Sequence, residues 1–324
     1  MRRVLGRSGI EVSALGMGTW AIGGEMYAGD QPLGWGAADD DEAARAIRRA
    51  VDLGVTLFDT ADAYGTGHAE ELLGRVLAPV RDQVVIATKW GNRYDRSTRQ
   101  LLGEDGSPAH LRWAVRESLR RLATDRIDVY QLHLNGLALD EAADLVPVCE
   151  ELVAEGLVRT YGWSTDNPEG VDVFARGPHC AVVQHELNLF SDAPEVLARC
   201  DRYDLASLNR SPLAMGLLSD KVTAGSSFGD DTIRGRAPAW LTWFRNGRPV
   251  PEFLVRRDAV REILTSGGRT LAQGALAWNW ARSPRAIPLP GCRTVAQVEE
   301  NAGAMAYGPL TPEQMKEIDT LLER

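Results

Sequence analysis

No cysteine in this 324-residue chain has a partner at CxxC spacing; the four, Cys149, Cys180, Cys200 and Cys292, lie far apart. Such scattering argues against a disulfide framework or a structural zinc site and points to reduced thiols in a cytoplasmic protein. No run of about 18 apolar residues occurs, so no membrane span is expected. The opening Met1-Arg2-Arg3-Val4-Leu5-Gly6 lacks the apolar core of a secretory signal. No block of Lys or Arg offsets the net charge of −9, which disfavours non-specific binding to nucleic acid or anionic membranes. HxH and HExxH are also missing, so Asp59, Asp62, His68 and His133 form a weak basis for a catalytic metal. No metal is expected.

What is present is a repeating alternation of apolar runs and helical segments. Strands are expected at 14–17, 55–58, 84–88, 129–132, 158–162, 181–183, 204–207 and 286–288. Helices are expected between and after them, at 42–53, 69–77, 107–122, 139–154, after Pro168, 193–200, 252–265, 270–281, 295–304 and 315–322. Eight strand–helix units in about 300 residues predict one α/β domain over 1–324, a (β/α)8 TIM barrel. Residues 2–13 read as an N-terminal β-hairpin that plugs or lids the barrel, and the last segment as an extra C-terminal helix. Two connections, 90–107 and 209–251, are long enough to be functional loops. Trp20, Trp90 and Trp163 directly follow strands, and Trp240, Trp243 and Phe244 lie in the second loop. Together they predict an aromatic rim suited to an apolar or sugar-like ligand.

In such a barrel, chemistry sits at the carboxyl ends of strands. Asp59, Lys89 and His133 each close an apolar run, and Tyr64 follows Asp59 by five residues. A lysine beside a tyrosine favours phenolate and lowers the phenol's pKa towards neutrality, while an aspartate holds the lysine charged. Neutral His133 can orient a carbonyl oxygen. The set suits protonation of a developing alkoxide, with hydride from a cofactor, since no side chain supplies one. Asp62 is read as a solvated turn residue or cap.

Phe58-Asp59-Thr60-Ala61, Tyr64-Gly65, Ala87-Thr88-Lys89-Trp90 and Asp128-Val129-Tyr130-Gln131-Leu132-His133 resemble signatures of the aldo-keto reductase superfamily. Similar matches run along the chain at Gly16-Met17-Gly18-Thr19-Trp20, Gly162-Trp163-Ser164, Val183-Gln184, Ser211-Pro212-Leu213, Gly216-Leu217-Leu218 and Ile287-Pro288-Leu289-Pro290-Gly291. The resemblance implies NADPH as hydride donor and a catalytic tetrad of Asp59, Tyr64, Lys89 and His133. It also implies nucleotide binding without a GxGxxG fingerprint, and none follows a strand here. Gly291, Arg293, Gln297, Glu300 and Asn301 would hold the adenosine end, with Arg293 and a helix N-terminus taking a 2′-phosphate. Ser211, Pro212, Leu213, Gly216 and Leu218 would wrap the pyrophosphate. Ser164, Thr165 and Gln184 would meet the carboxamide, and Gly18, Thr19, Trp20 and Asp59 complete the implied contacts. A small-molecule carbonyl is the implied substrate, and an oligomer is compatible with the pattern.

Two positions depart from the family pattern. Thr165 stands where Asn is common, and Arg210 stands where an aromatic ring stacks on the nicotinamide. A stacked guanidinium would bias binding towards NADPH over NADP⁺. The alternative within the resemblance is a nucleotide-sensing regulatory subunit with little turnover. Substrate choice is expected to lie in loops 22–38, 91–107 and 219–250.

Overall fold

In the computed structural model, which describes residues 1–324, eight parallel strands form the centre. They are β1 (Gly16–Gly18), β2 (Leu57–Asp59), β3 (Val85–Trp90), β4 (Ile127–Leu132), β5 (Val158–Ser164), β6 (Cys180–Glu186), β7 (Ala206–Arg210) and β8 (Ala286–Pro288). Each pairs with the next in sequence, from β1–β2 through β7–β8. The ring closes through a parallel bridge between Gly18 and Gly291, where Gly18 N donates to Pro290 O at 3.0 Å. All eight expected strands are present, and the chain forms a (β/α)8 barrel. No helix is long and apolar enough to cross a membrane.

Eleven helices surround the strands: α1 (Asp40–Asp52), α2 (His68–Leu77), α3 (Pro108–Leu122), α4 (Leu139–Ala154), α5 (Pro168–Phe174), α6 (Pro194–Tyr203), α7 (Pro251–Ala259), α8 (Arg261–Thr265), α9 (Leu271–Arg282), α10 (Val295–Gly303) and α11 (Pro312–Leu321). Their starts are chemically marked. Asp39 accepts from two backbone N–H groups of α1, and Thr270, Thr294 and Thr311 form capping boxes at α9, α10 and α11. The expected helix at 252–265 is two helices, broken at Val260.

The core divides by strand parity. Phe58, Ile86, Tyr130 and Val183 face outward into the layer beneath the helices, whereas Leu57, Val85, Ala87, Val129, Val182 and Leu208 face the lumen. The hairpin Arg2–Val4/Glu11–Ser13 is a plug, not a lid. Its Leu5 and Val12 join the lumen cluster, and Gly6 lies against Ala181 and Asp204–Leu205, at the amino ends of β6 and β7. A Cβ at Gly6 would stand 2.3 Å from Asp204 O, and its φ of +47° already favours glycine.

The connection after β3 is not the open loop expected. Asn92–Asp95 and Gln100–Glu104 pair as a hairpin that joins Tyr27–Ala28 and Gln31–Pro32 in a small sheet over the barrel's carboxyl end. Backbone pairing thereby fixes two of the three loops assigned to substrate choice.

Candidate active site

Side chains alternate along a strand, so the lumen-facing set continues upward past the apolar layer. Asp59 follows Leu57 on this face; Lys89 follows Ala87, and Gln131 and His133 follow Val129. Lys89 is in register with Gln131, and Asp59 with Ala87. Three strands therefore aim polar groups at one spot. Lys89 Nζ donates to Asp59 Oδ2 at 2.6 Å, to Thr60 O at 2.8 Å and to Tyr64 Oη at 3.3 Å. Gln184 Nε2 donates to Asp59 Oδ1 at 2.8 Å, and Gln131 Nε2 approaches the same oxygen at 3.4 Å. Tyr64 stacks near Trp20, with centroids 6.0 Å apart, and meets the His133 ring edge-on at 5.9 Å.

The turn carrying Tyr64 is tightly held. Gly65, Thr66 and Gly67 all have positive φ, and a Cβ at Gly65 would fall 1.8 Å from Gly23 O. Only glycine lets the 22–38 loop press this closely on the tyrosine.

Burial sets the protonation states. It works against the Lys89 ammonium, but the Asp59 carboxylate and Tyr64 outweigh it and the lysine's pKa moves up. Tyr64 does not move down as the sequence led us to expect. Burial raises its pKa above 10, and Lys89 recovers only part of that rise, so the phenol is protonated at neutral pH. Burial, then the charges of Lys89 and Arg210, lower His133 to about 3. Its imidazole is neutral, with Nδ1 lacking a protein partner.

These groups floor a cleft of about 1100 Å³ at the barrel's carboxyl end. Gly18, Thr19, Trp20, Asp59, Tyr64, His133, Ser164, Gln184, Arg210, Ser211, Pro212, Leu213, Gly216, Gly291, Arg293, Gln297, Glu300 and Asn301 all line it. Lys89 lies fully buried beneath. Two expected contacts turn away: Thr165 is buried, donating to Asn135 O at 2.9 Å, and Leu218 is packed in the outer core. Gln297 Oε1 accepts from Arg293 N, and Asn301 Nδ2 donates to Cys292 Sγ at 3.2 Å, so both serve the α10 cap region.

The aromatic rim is also smaller than expected. Trp90 and Trp163 are about 1% exposed and lie in the outer core, because β3 and β5 run on far enough to place them on the outward parity. Trp243 and Phe244 are buried too, leaving Trp20, Trp35 and Trp240 at the cleft.

Asp62 is the clearest reversal. It is fully buried, and neither carboxylate oxygen has a hydrogen-bond partner. It lies among charges on α2, α3 and the strands, and burial, then Glu70, push its pKa well above the ordinary 3.8. His68, grouped with it as a metal ligand, bonds to Asp40 at 2.8 Å instead. Below about pH 4 both folded and unfolded forms carry the Asp62 proton. As pH rises, the unfolded chain releases it first, which costs the fold stability. Asp62→Asn cannot titrate, so it should gain stability on wild type as pH rises from 4 to 7. Urea unfolding at both pH values measures the difference, and a gap that stays constant would refute this account.

Arg234, not anticipated from sequence, overhangs the 211–216 loop. Its guanidinium packs 3.8 Å from the Phe228 ring centroid and 4.9 Å from that of Trp35, and donates to Met215 O at 3.3 Å. Nε has no partner, and burial, then the nearby Arg293, lower its pKa to about 10. Arg293 donates to Trp35 O and Ala37 O. Two like charges share this end of the cleft with no carboxylate bonded to either, and phosphate oxygens fit that need. The donor set suits a phosphate-bearing dinucleotide.

The geometry agrees with the family comparison. A model described as the aldo/keto reductase family matches residues 14–323, and the chain belongs to that family. It is similar to the aldo-keto reductase YhdN of Bacillus subtilis (strain 168), 33% identical over 98% of this chain and 92% of that protein. Among solved structures it resembles the glycerol dehydrogenase AKR11B4 from Gluconobacter oxydans, with a TM-score of 0.82, 31% identity, and coverage of 100% and 95%. An aldo-keto reductase from Klebsiella pneumoniae in complex with NADPH superposes at a TM-score of 0.70, 27% identical over 99% and 95%.

Proposed function

We propose that the protein is an NADP(H)-dependent oxidoreductase that reduces an aldehyde or ketone carbonyl to an alcohol, with Tyr64 as proton donor. The observation that carries this is the Asp59–Lys89–Tyr64 chain, at 2.6 Å and 3.3 Å, on the floor of a cleft whose far end has two arginines free of carboxylates. NADP(H), which the Klebsiella relative binds, supplies hydride when bound. Arg234 and Arg293, with Lys221 that also lines the cleft, would hold its phosphates, the 211–216 backbone its pyrophosphate, and Ser164 with Gln184 its carboxamide.

The protein's own part is positioning and proton transfer. Neutral His133 directs a carbonyl oxygen towards Tyr64. The protonated phenol gives its proton to the oxygen as alkoxide character develops, and the Lys89 ammonium stabilises the phenolate left behind. Asp59, buried and accepting from Lys89 and Gln184, keeps the ammonium charged and fixed. Asp59 and Lys89 therefore position the donor.

A panel of aldehydes and ketones, including hydroxylated ones given the glycerol dehydrogenase relative, should each be assayed for carbonyl-dependent consumption of NADPH. Turnover with at least one is expected. Tight NADPH binding with no turnover across the panel would favour a nucleotide-sensing subunit and sink the reductase reading.

A further inference from the structure

One layer above Ser164 and Gln184, the cleft wall carries a charge cluster that the proton-transfer scheme does not use. Two residues beyond Gln184 on the same lumen face comes Glu186, and two beyond Ser164 comes Asp166. Arg210 ends β7 in register with Glu186. Its guanidinium is not free to lie flat over a ring: it bonds Asp166 Oδ2 and reaches Glu186 Oε2 at 3.4 Å. Asp166 is itself anchored, accepting from Glu186 N at 2.8 Å and from Asn135 Nδ2 at 3.2 Å, while its own N–H donates to Asn135 Oδ1 at 2.8 Å. The cluster thus straps four consecutive strand ends.

The charge count decides its effect. One cation faces two carboxylates, leaving a surplus of one negative charge. The layer below does not offset it, because Lys89 is paired with Asp59 and both Tyr64 and His133 are neutral. Nicotinamide is neutral when reduced and cationic once its hydride, with the bonding electron pair, has gone to a carbonyl carbon. Resting on the function proposed above, the geometry points to the Asp166–Arg210–Glu186 cluster as a redox-state discriminator that favours the oxidised cofactor. This reverses the bias expected of an unpaired Arg210. It also favours hydride departure on the protein, because positive charge grows on the ring beside the surplus carboxylate. Two strand residues span about 7 Å, at which one charge in a partly wet site changes affinity about three- to tenfold.

The test is the ratio of the dissociation constants of NADP⁺ and NADPH, measured by quenching of tryptophan fluorescence. Wild type, Glu186→Gln and Arg210→Gln are compared at low salt, with circular dichroism to confirm folding. Glu186→Gln removes the surplus and should weaken NADP⁺ relative to NADPH about three- to tenfold. Arg210→Gln enlarges the surplus and should shift the ratio the opposite way. Ratios within twofold of wild type, or shifts of the same sign in both variants, overturn the inference. Wild type that binds neither form would instead remove the proposed function itself.

Discussion

Tyr64→Phe is expected to lower the rate of carbonyl reduction by about 10²–10⁴-fold while leaving NADPH affinity within a few-fold of wild type. The hydroxyl is a neutral donor 3.3 Å from the buried ammonium, and in the proposed mechanism its proton is needed only as the alkoxide forms. The phenyl ring keeps the packing against Trp20 and His133, so the turn should hold its shape. The wild-type pH profile follows from the same facts. Because burial raises the phenol's pKa above 10, reduction should not fade through the neutral range and should fall only in strongly alkaline solution. Single-turnover rates with bound NADPH separate the two quantities. A phenylalanine variant with full turnover would remove Tyr64 from the mechanism.

Lys89→Met is the second large effect, and stability should show it as well as rate. Asp59 is 4% exposed and depends on Lys89 for its opposite charge, so removing the ammonium strands a buried carboxylate. Breaking one half of such a pair costs about 3–5 kcal/mol. In a protein of this size that lowers Tm by about 4–8 °C. The double variant Asp59→Asn/Lys89→Met should recover part of the loss, because no uncompensated charge then remains. Thermal unfolding of wild type, Asp59→Asn, Lys89→Met and the double variant measures the coupling. Equal Tm values for wild type and Lys89→Met would show that Gln131 and Gln184 alone satisfy Asp59.

The ring of strands was legible because each core run is short, apolar and followed by a helix with a marked start. Asp59, Lys89 and His133 were legible for a related reason: each continues a lumen-facing alternation. The same parity could have revealed Gln131, two before His133, and Glu186, two after Gln184. It also explains the error at Trp90 and Trp163, since a strand running one or two residues further decides which face a side chain takes. Asp62 could not be placed from its loop position, because its burial comes from α2 and α3 packing over it. Arg210 was visible as a departure, but its meaning depends on Asp166 and Glu186, which lie 44 and 24 residues away. Arg234 sits in a long connection without periodicity, where sequence offers no direction for a side chain.

The closure between Gly18 and Gly291 has a consequence for biosynthesis. The strand that seats Thr19 beside Asp59 is among the first made, yet its second neighbour arrives about 270 residues later. At roughly 5–20 residues per second, the first strand waits on the order of tens of seconds with one edge unpaired. Its brevity, three residues of Gly-Met-Gly, limits what a stray strand could pair with during that delay. The seam between Gly18 and Gly291 is therefore the last part of the ring to be sealed during synthesis, and a ribosome stalled before residue 286 would hold an open sheet with Asp59, Tyr64, Lys89 and His133 already made but one wall of their cleft missing.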